Sequence, residues 1–254
     1  MSTTMRRVLA PVIGVIAFGL LWEVCVSVFD IRRFVLLPPS KILESFADDP
    51  GFYLSNALIT GRHMVVGLAI ALVAAIAVGS CMAASRFVEE ATQPILVLIL
   101  VTPWVAYITS VVLWLDGGEP TIIFMVAFTS FPVFTFGVVG GMKSADPAAR
   151  ELLASVDARP WEVFWRLRLP AALPSIYTTM RFALGLGLAA AYFSEGSALT
   201  TDGLGAIGRR AASFNDAETL WTTIVTSALL GIVGLALLSV LERSLLRWHV
   251  SQRR

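Results

Sequence analysis

Charge is what this chain has least of. Asp, Glu, Lys and Arg make up 15% of its 254 residues, where a soluble domain carries about 25%. Apolar residues make up 57%, and the mean hydropathy is +0.79. Such a composition cannot cover a water-facing surface, so the chain reads as an integral membrane protein that sits in a lipid bilayer. A net charge of +1 gives no reason to expect nucleic acid as a partner. Lysine occurs only as Lys41 and Lys143, histidine only as His63 and His249, cysteine only as Cys25 and Cys81. No metal-ligand cluster and no Ser-His-Asp arrangement can be assembled from that set. The two cysteines fall in apolar runs that lead toward opposite faces of the membrane, so they are not expected to pair.

Long apolar runs are what is present. Six spans are read, at about residues 8–29, 64–84, 93–115, 121–142, 173–199 and 220–241, each long enough for a hydrocarbon core of about 30 Å. The fold class is therefore all-α integral membrane, a single transmembrane domain over residues 1–254. The first run continues past signal-peptide length with no small-x-small site and reads as a retained helix. It carries Glu23, which is either a functional group, because a charge in lipid is costly, or a carboxylate near the headgroups. After it, Leu37-Pro38-Pro39-Ser40 gives a bend and a short amphipathic helix over Lys41–Phe46, capped by Ser40. His63, just before the second span, reads as an interfacial residue rather than a titrating one. Gly67 and Gly79 in that span suit close helix packing. In the third span Pro103, Trp104, Tyr107, Thr109 and Ser110 combine a proline kink with aromatics and hydroxyls. At about 1.5 Å per residue they lie near the bilayer middle, as residues lining a cavity would. Ser130-Phe131-Pro132 breaks the fourth span. The fifth carries Arg181 about two turns in and Glu195 near its far end.

Basic residues give the orientation. With the N-terminus inside, the cytosolic segments hold Arg6, Arg7, Arg86, Lys143, Arg150, Arg159, Arg166, Arg168, Arg243, Arg247, Arg253 and Arg254. The outer ones hold only Arg32, Arg33, Lys41, Arg62, Arg209 and Arg210. Both termini and the loop between spans four and five are thus expected in the cytosol.

That loop, Asp146–Pro174, is the one long segment that is neither apolar throughout nor a short connector. Asp146-Pro147 is a helix start, a side-chain cap followed by proline at the first helical position. Pro160 and Pro170 are expected to break the segment into short helices. Trp161, Phe164 and Trp165 stand among alternating charges, the pattern of a docking surface or of a loop lying on the membrane.

The spacing of Glu151, Asp157 and Leu167-Arg168-Leu169-Pro170 resembles the EAA loop of ATP-binding-cassette importer permeases. It is most similar to the branch for nitrate, sulfonates, taurine, bicarbonate and thiamine-type precursors. Asp157-Ala158-Arg159-Pro160-Trp161 looks like that branch's Gly-Ala-Ser-x-Trp, and Leu169-Pro170-Ala171-Ala172-Leu173-Pro174 matches almost letter for letter. Leu152 and Leu153 replace the family's alanines, and Asp157 replaces a turn glycine whose backbone Asp adopts only at some cost. In the third span Pro103, Ala106, Ile108, Trp114, Gly118 and Glu119 match the family, while Trp104, Thr109 and Ser110 depart from it. His63 stands where the family usually has arginine. Met180–Gly185 and Glu195 resemble the family too, and the likeness runs from about Leu37 to Arg247.

The resemblance implies an importer permease of the bacterial cytoplasmic (inner) membrane, multi-pass and not itself catalytic. It implies a second copy of the chain, two ATP-binding subunits and a periplasmic or lipid-anchored substrate-binding protein as partners. ATP and Mg would sit on the ATP-binding subunits, and this chain would bind no cofactor and no metal. Glu151, Asp157, Ala158, Arg159, Trp161, Phe164, Leu169 and Pro170, in a loop of about residues 146–172, are the coupling residues by that likeness. Pro103, Trp104, Tyr107, Thr109, Ser110 and Glu195 are candidates for the path. The alternative is a stand-alone secondary transporter with Glu23 and Arg181 as coupling groups. Gly203-x-Gly205-x-x-Gly208 matches a dinucleotide fingerprint, but no strand precedes it, and it reads as a tight turn. Gly137 to Lys143-Ser144 is no phosphate loop, because Met142 separates glycine from lysine and the stretch is a helix end.

Overall fold

The structure is a computed structural model that describes residues Thr3–Leu245, with side chains described from Leu9 to Ser244. Of the basic and histidine positions above, Arg247, His249, Arg253 and Arg254 lie outside the described residues, as do the side chains of Arg6 and Arg7. Helices and the short turns and loops that join them make up this range. In order come α1 (Thr3–Val28), α2 (Pro39–Asp48), α3 (Pro50–Ala84), α4 (Arg86–Val101), a 3-10 turn (Trp104–Tyr107), α5 (Ile108–Leu115) and α6 (Gly118–Lys143). After them come α7 (Pro147–Ser155), α8 (Pro160–Val163), a π-helical stretch (Phe164–Arg168), α9 (Leu169–Glu195), α10 (Leu204–Ser213) and α11 (Ala217–Leu245).

The core is the α3–α6–α9 bundle. α6 is its centre, and its Ile122, Met125, Val126, Phe134 and Val138 are fully buried. Small residues let the axes approach. A Cβ on Gly67 would meet Val126 Cβ at 2.5 Å, and one on Gly79 would meet Val138 Cγ1 at 2.7 Å. Both glycines of α3 therefore do what their place in an apolar helix suggests. On the other side of α6, Gly141 faces the backbone of Ala172. α1 stands apart, with only 6% of its apolar window buried. It is fastened at Glu23, whose carboxylate accepts from the Ser40 backbone N–H at 3.0 Å and the Ser40 hydroxyl at 2.7 Å. Glu23 is thus the cap of α2. Ser40 is not the cap, because α2 already begins at Pro39, behind an extended Pro38.

Among the described residues, four helices are long and apolar enough to cross a membrane: Leu9–Val28, Pro50–Ala84, Gly118–Lys143 and Ala217–Ser244. The pair α4 and Trp104–Leu115 makes a fifth candidate, bent by 89°. α9, 27 residues long, occupies the place of the expected fifth span. It carries Arg181 and several hydroxyl side chains and is less apolar than those four. The second span is longer than its apolar run. Asp49 accepts from the Phe52 N–H at 2.9 Å and Pro50 takes the first helical position, so the helix starts well before Met64. Its 35 residues reach about 52 Å at 1.5 Å per residue.

Two expectations about proline are reversed. Pro132 does not break α6, which runs on through it with Pro132 buried, since helices packed on it hold the backbone in place. Pro103 does far more than kink. Thr102 ahead of it is extended (φ −76°, ψ 132°), the conformation that the clash with a following proline ring favours, and the chain turns a corner. Trp104 and Tyr107 are therefore not placed by continuous helical rise, and the mid-bilayer depth read from the sequence does not follow.

Candidate functional site

The loop between α6 and α9 is built by three local devices. Asp146 accepts from the Ala148 N–H at 2.9 Å and Pro147 follows it, so α7 begins as its cap predicts. α7 ends in a Schellman turn. Ala158 N–H donates to Leu153 O at 3.0 Å and Asp157 N–H to Ala154 O at 3.1 Å, which puts Asp157 at the left-handed position where glycine is preferred. Its φ is +51°, and Asp adopts this region more readily than most side chains. The turn reverses the chain into α8. There Arg159 N–H donates to Glu162 Oε2 at 3.0 Å, one half of a capping box.

The third device replaces an expected break. Pro170 does not end a helix. The stretch before it widens to π geometry, Leu169 N–H reaching back to Phe164 O, and this extra residue per turn accommodates a proline that would otherwise clash with the preceding turn. The helix is thus continuous from Pro160 to Glu195.

The aromatic residues cluster. Trp161 and Trp165 are edge-to-face at 5.2 Å, as are Phe164 and Trp165, and Trp161 stacks on Phe164 at 6.2 Å. Phe164 is half-buried against the α6–α9 core, while Trp161 is 67% exposed and Trp165 49%. On the same loop Leu152 of α7 and Val156 at its C-terminal cap are also exposed, each 67%. Around it Glu151 and Arg159 are exposed, Ala158, Leu169 and Pro170 are half-buried, and Glu162 pairs with Arg166 at 3.5 Å. Neither Leu152 nor Val156 is among the coupling residues that the resemblance implies, although exposed apolar side chains are themselves a sign of a covered surface.

The candidate path residues are partly gathered. Trp104 is edge-on to Phe193 at 5.8 Å and packs on the core cluster of Met64, Leu188 and Ala191. Tyr107 stands on Phe128 at 5.5 Å. Pro103, Thr109 and Ser110 are exposed along the corner and α5.

Glu195 closes α9 at the end opposite the loop, and its side chain is fully buried. His63 Nδ1 stands 2.8 Å from Oε1. Thr60 Oγ1 donates to Oε2 at 2.9 Å and the Gly205 N–H donates to the same oxygen at 2.9 Å. Thr60 Oγ1 in turn accepts from the Leu204 N–H at 2.9 Å, and Asn56 Oδ1 accepts from the Gly203 N–H at 2.8 Å. The N-terminal N–H groups of α10, orphaned in any helix, are thus satisfied by side chains of α3 and α9, with a carboxylate at the positive end of the helix. His63 is 3% exposed, enclosed by protein at whatever depth it lies. It lies 132 positions from Glu195 in the chain, and only three-dimensional packing joins them. The glycine fingerprint belongs to the same arrangement. Gly203 has φ +101°, and a Cβ there would fall 2.5 Å from the Glu195 carboxyl carbon.

The groups of the secondary-transporter alternative are separately engaged. Arg181 pairs with Glu242 of α11, and Glu23 holds Ser40.

The profile of the family described as "Binding-protein-dependent transport system inner membrane component" matches residues 65–247. The chain is similar to the formylaminopyrimidine transport permease protein ThiX of Halalkalibacterium halodurans, 28% identical over 248 residues that span 97% of this chain and 98% of that protein. It is similar to the taurine transport system permease protein TauC of Escherichia coli, 28% identical over 93% of this chain and 89% of that protein. The riboflavin transport system permease protein RibX of Chloroflexus aurantiacus is 26% identical over 91% of this chain and 86% of its own length.

Proposed function

Since the chain belongs to the family of binding-protein-dependent transport system inner membrane components, we propose that it is the membrane-spanning permease subunit of an ATP-driven importer. Two copies pair across a central path, with six spans each and both termini in the cytosol. Two ATP-binding subunits engage the α7–α8 loops. A periplasmic or lipid-anchored binding protein delivers the solute at the other face of the bacterial cytoplasmic membrane. This chain does not hydrolyse ATP; nucleotide and Mg belong to the ATP-binding subunits.

The observation that carries this reading is the exposure of Leu152, Val156, Trp161 and Trp165 on one loop, whose α8 is joined without a break to α9. Trp161 and Leu152 fill a groove on the ATP-binding subunit, as exposed aromatic anchors do. Glu151 and Arg159 set the orientation. ATP-driven closure of those subunits displaces α8, the continuous α8–α9 rod carries the displacement into the α3–α6–α9 core, and the path alternates between its two faces. The solute is a small anion of the taurine type or a vitamin-precursor-like heterocycle, the classes in the names of the relatives.

Purification of the chain from its native membrane in mild detergent, with mass spectrometry of what accompanies it, tests the class. The expected companion is a stoichiometric ATP-binding subunit. A chain that purifies alone and moves solute in vesicles without ATP contradicts the proposal.

A further inference from the structure

α4 ends with its carbonyls unspent. The Thr102 N–H and the Thr102 hydroxyl both donate to Leu98 O, at 3.2 and 2.7 Å. Pro103 has no N–H to offer Ile99 O. Among the described residues, no donor reaches the carbonyls of Ile99, Leu100, Val101 or Thr102. Any helix leaves such groups at its end, where water normally takes them. Here the end is not at a water-facing level. After the 89° bend, the ring of Tyr107 rests 5.5 Å from that of Phe128, the eleventh of the 26 residues of α6. Contact with the middle of a membrane-crossing helix thus gives the corner the depth that helical rise could not.

Non-helical backbone at that depth occurs only inside protein or along a water-filled cavity, because lipid offers it no hydrogen bonds. This chain does not bury the corner: Val101, Pro103, Val105 and Ala106 are exposed. An apolar helix of a second copy laid over it would leave the four carbonyls unbonded. Water, or a solute moving through water, satisfies them. The hydroxyls of Tyr107, Thr109 and Ser110 follow within seven positions of Pro103 and make no hydrogen bond among the described residues, so they too are free to bond what occupies that space. The chemistry has one sign. A carbonyl only accepts, a helix C-terminus is the negative end of the helix dipole, and the faces of Trp104 and Tyr107 attract cations. No charged residue occurs between Glu90 and Asp116, so neither α4 past its first turns nor α5 supplies a cation for an anion.

We propose that the α4–α5 corner lines the transport path and takes the amino or ammonium end of the solute on the carbonyls of Ile99, Leu100, Val101 and Thr102. The inference rests on the importer reading and narrows its solute classes to members that carry N–H donors. An oxyanion with no such donor finds only like partial charge here. The three hydroxyls keep the corner hydrated between passages.

The test uses the complete importer, with its ATP-binding subunits, in lipid nanodiscs. Val105→Cys, Thr109→Cys and Ser110→Cys are made singly in a background with Cys25→Ser and Cys81→Ser. Each is treated with two thiol reagents of one skeleton, aminoethyl methanethiosulfonate and sulfonatoethyl methanethiosulfonate, without nucleotide and after trapping with ATP and vanadate. The thiolate is the reacting form, so modification requires water at that position. Modification is expected in at least one of the two states. The ratio of ammonium to sulfonate rates should exceed that for free mercaptoethanol by about three- to thirtyfold, the range for opposite charges beside a helix C-terminus. A ratio equal to or below the free-thiol value would overturn the preference for an amino group. No modification at any of the three positions, in a complex that still hydrolyses ATP, would take the corner out of the path and leave the importer reading standing. A chain that assembles with no ATP-binding subunit would overturn both.

Discussion

His63 and Glu195 are 132 positions apart in the chain and 2.8 Å apart in the fold, both buried. The pair binds the first third of the molecule to the end of α9 and, through the Gly205 N–H, to α10. Thr60 is the member that can be changed with least loss of shape. Thr60→Val removes the donor to Glu195 and the acceptor for Leu204 N–H while keeping the volume. Each group left unsatisfied in a buried site costs about 1–3 kcal/mol, so a clear fall in melting temperature in detergent is expected, with Thr60→Ser close to the parent.

Gly67 sets the distance between α3 and α6. Gly67→Ala places a methyl group 2.5 Å from Val126 Cβ and 3.0 Å from Ile123 O. Overpacking of this kind costs about 1–3 kcal/mol. Val126→Ala in the same chain should restore part of that loss. A double-mutant cycle on thermal stability measures the coupling, and strict additivity of the two substitutions would contradict the contact.

Asp157 sits at φ +51°, where a left-handed backbone costs an ordinary L-residue about 1–2 kcal/mol and Asp somewhat less. Asp157→Gly should therefore stabilise the α7 turn by less than about 1 kcal/mol, the gain offset in part by glycine's freedom in the unfolded chain. Slower amide exchange at Asp157 and Ala158, whose N–H groups close the turn, is the expected signature.

Trp161→Ala and Leu152→Ala remove exposed side chains and should leave insertion and thermal stability unchanged. If each is a docking anchor worth about 2 kcal/mol, affinity for the ATP-binding subunit falls about thirtyfold, and ATP-driven uptake falls with it. Phe164→Ala is a different case. Phe164 packs on the α6–α9 core, so it should lose stability as well as uptake. Normal uptake by a well-expressed Trp161→Ala, Phe164→Ala double variant would remove the coupling role.

Local chemistry was legible in the sequence where one residue decides it. The Asp146-Pro147 start of α7 and the close approach at Gly67 and Gly79 each follow from a side chain, or its absence, acting on its neighbours, while the turn at Asp157 is implied by the family glycine whose place it takes. The apolar runs located the long helices but not their ends. α3 starts at Pro50 because of a cap at Asp49, ahead of the apolar run, and α11 extends beyond its run on both sides. Prolines were read by their intrinsic preference and behaved by context: Pro103 turned the chain, Pro132 was held straight by packing, and Pro170 was absorbed by a π stretch. α10 read as part of an outer loop because its N-terminus is capped by α3 and α9, not by its own sequence. For the same reason the partners of Glu195 could not be read from spacing.

The central claim is that the Leu152–Trp165 surface docks an ATP-hydrolysing subunit. A photo-crosslinking benzoylphenylalanine at position 161, in place of Trp161, tests it in the native membrane. The account predicts one dominant covalent product, carrying a protein with ATP-binding sequence and lost when the ATP-binding subunit is deleted. Crosslinking to lipid alone would contradict it and return the loop to the membrane surface.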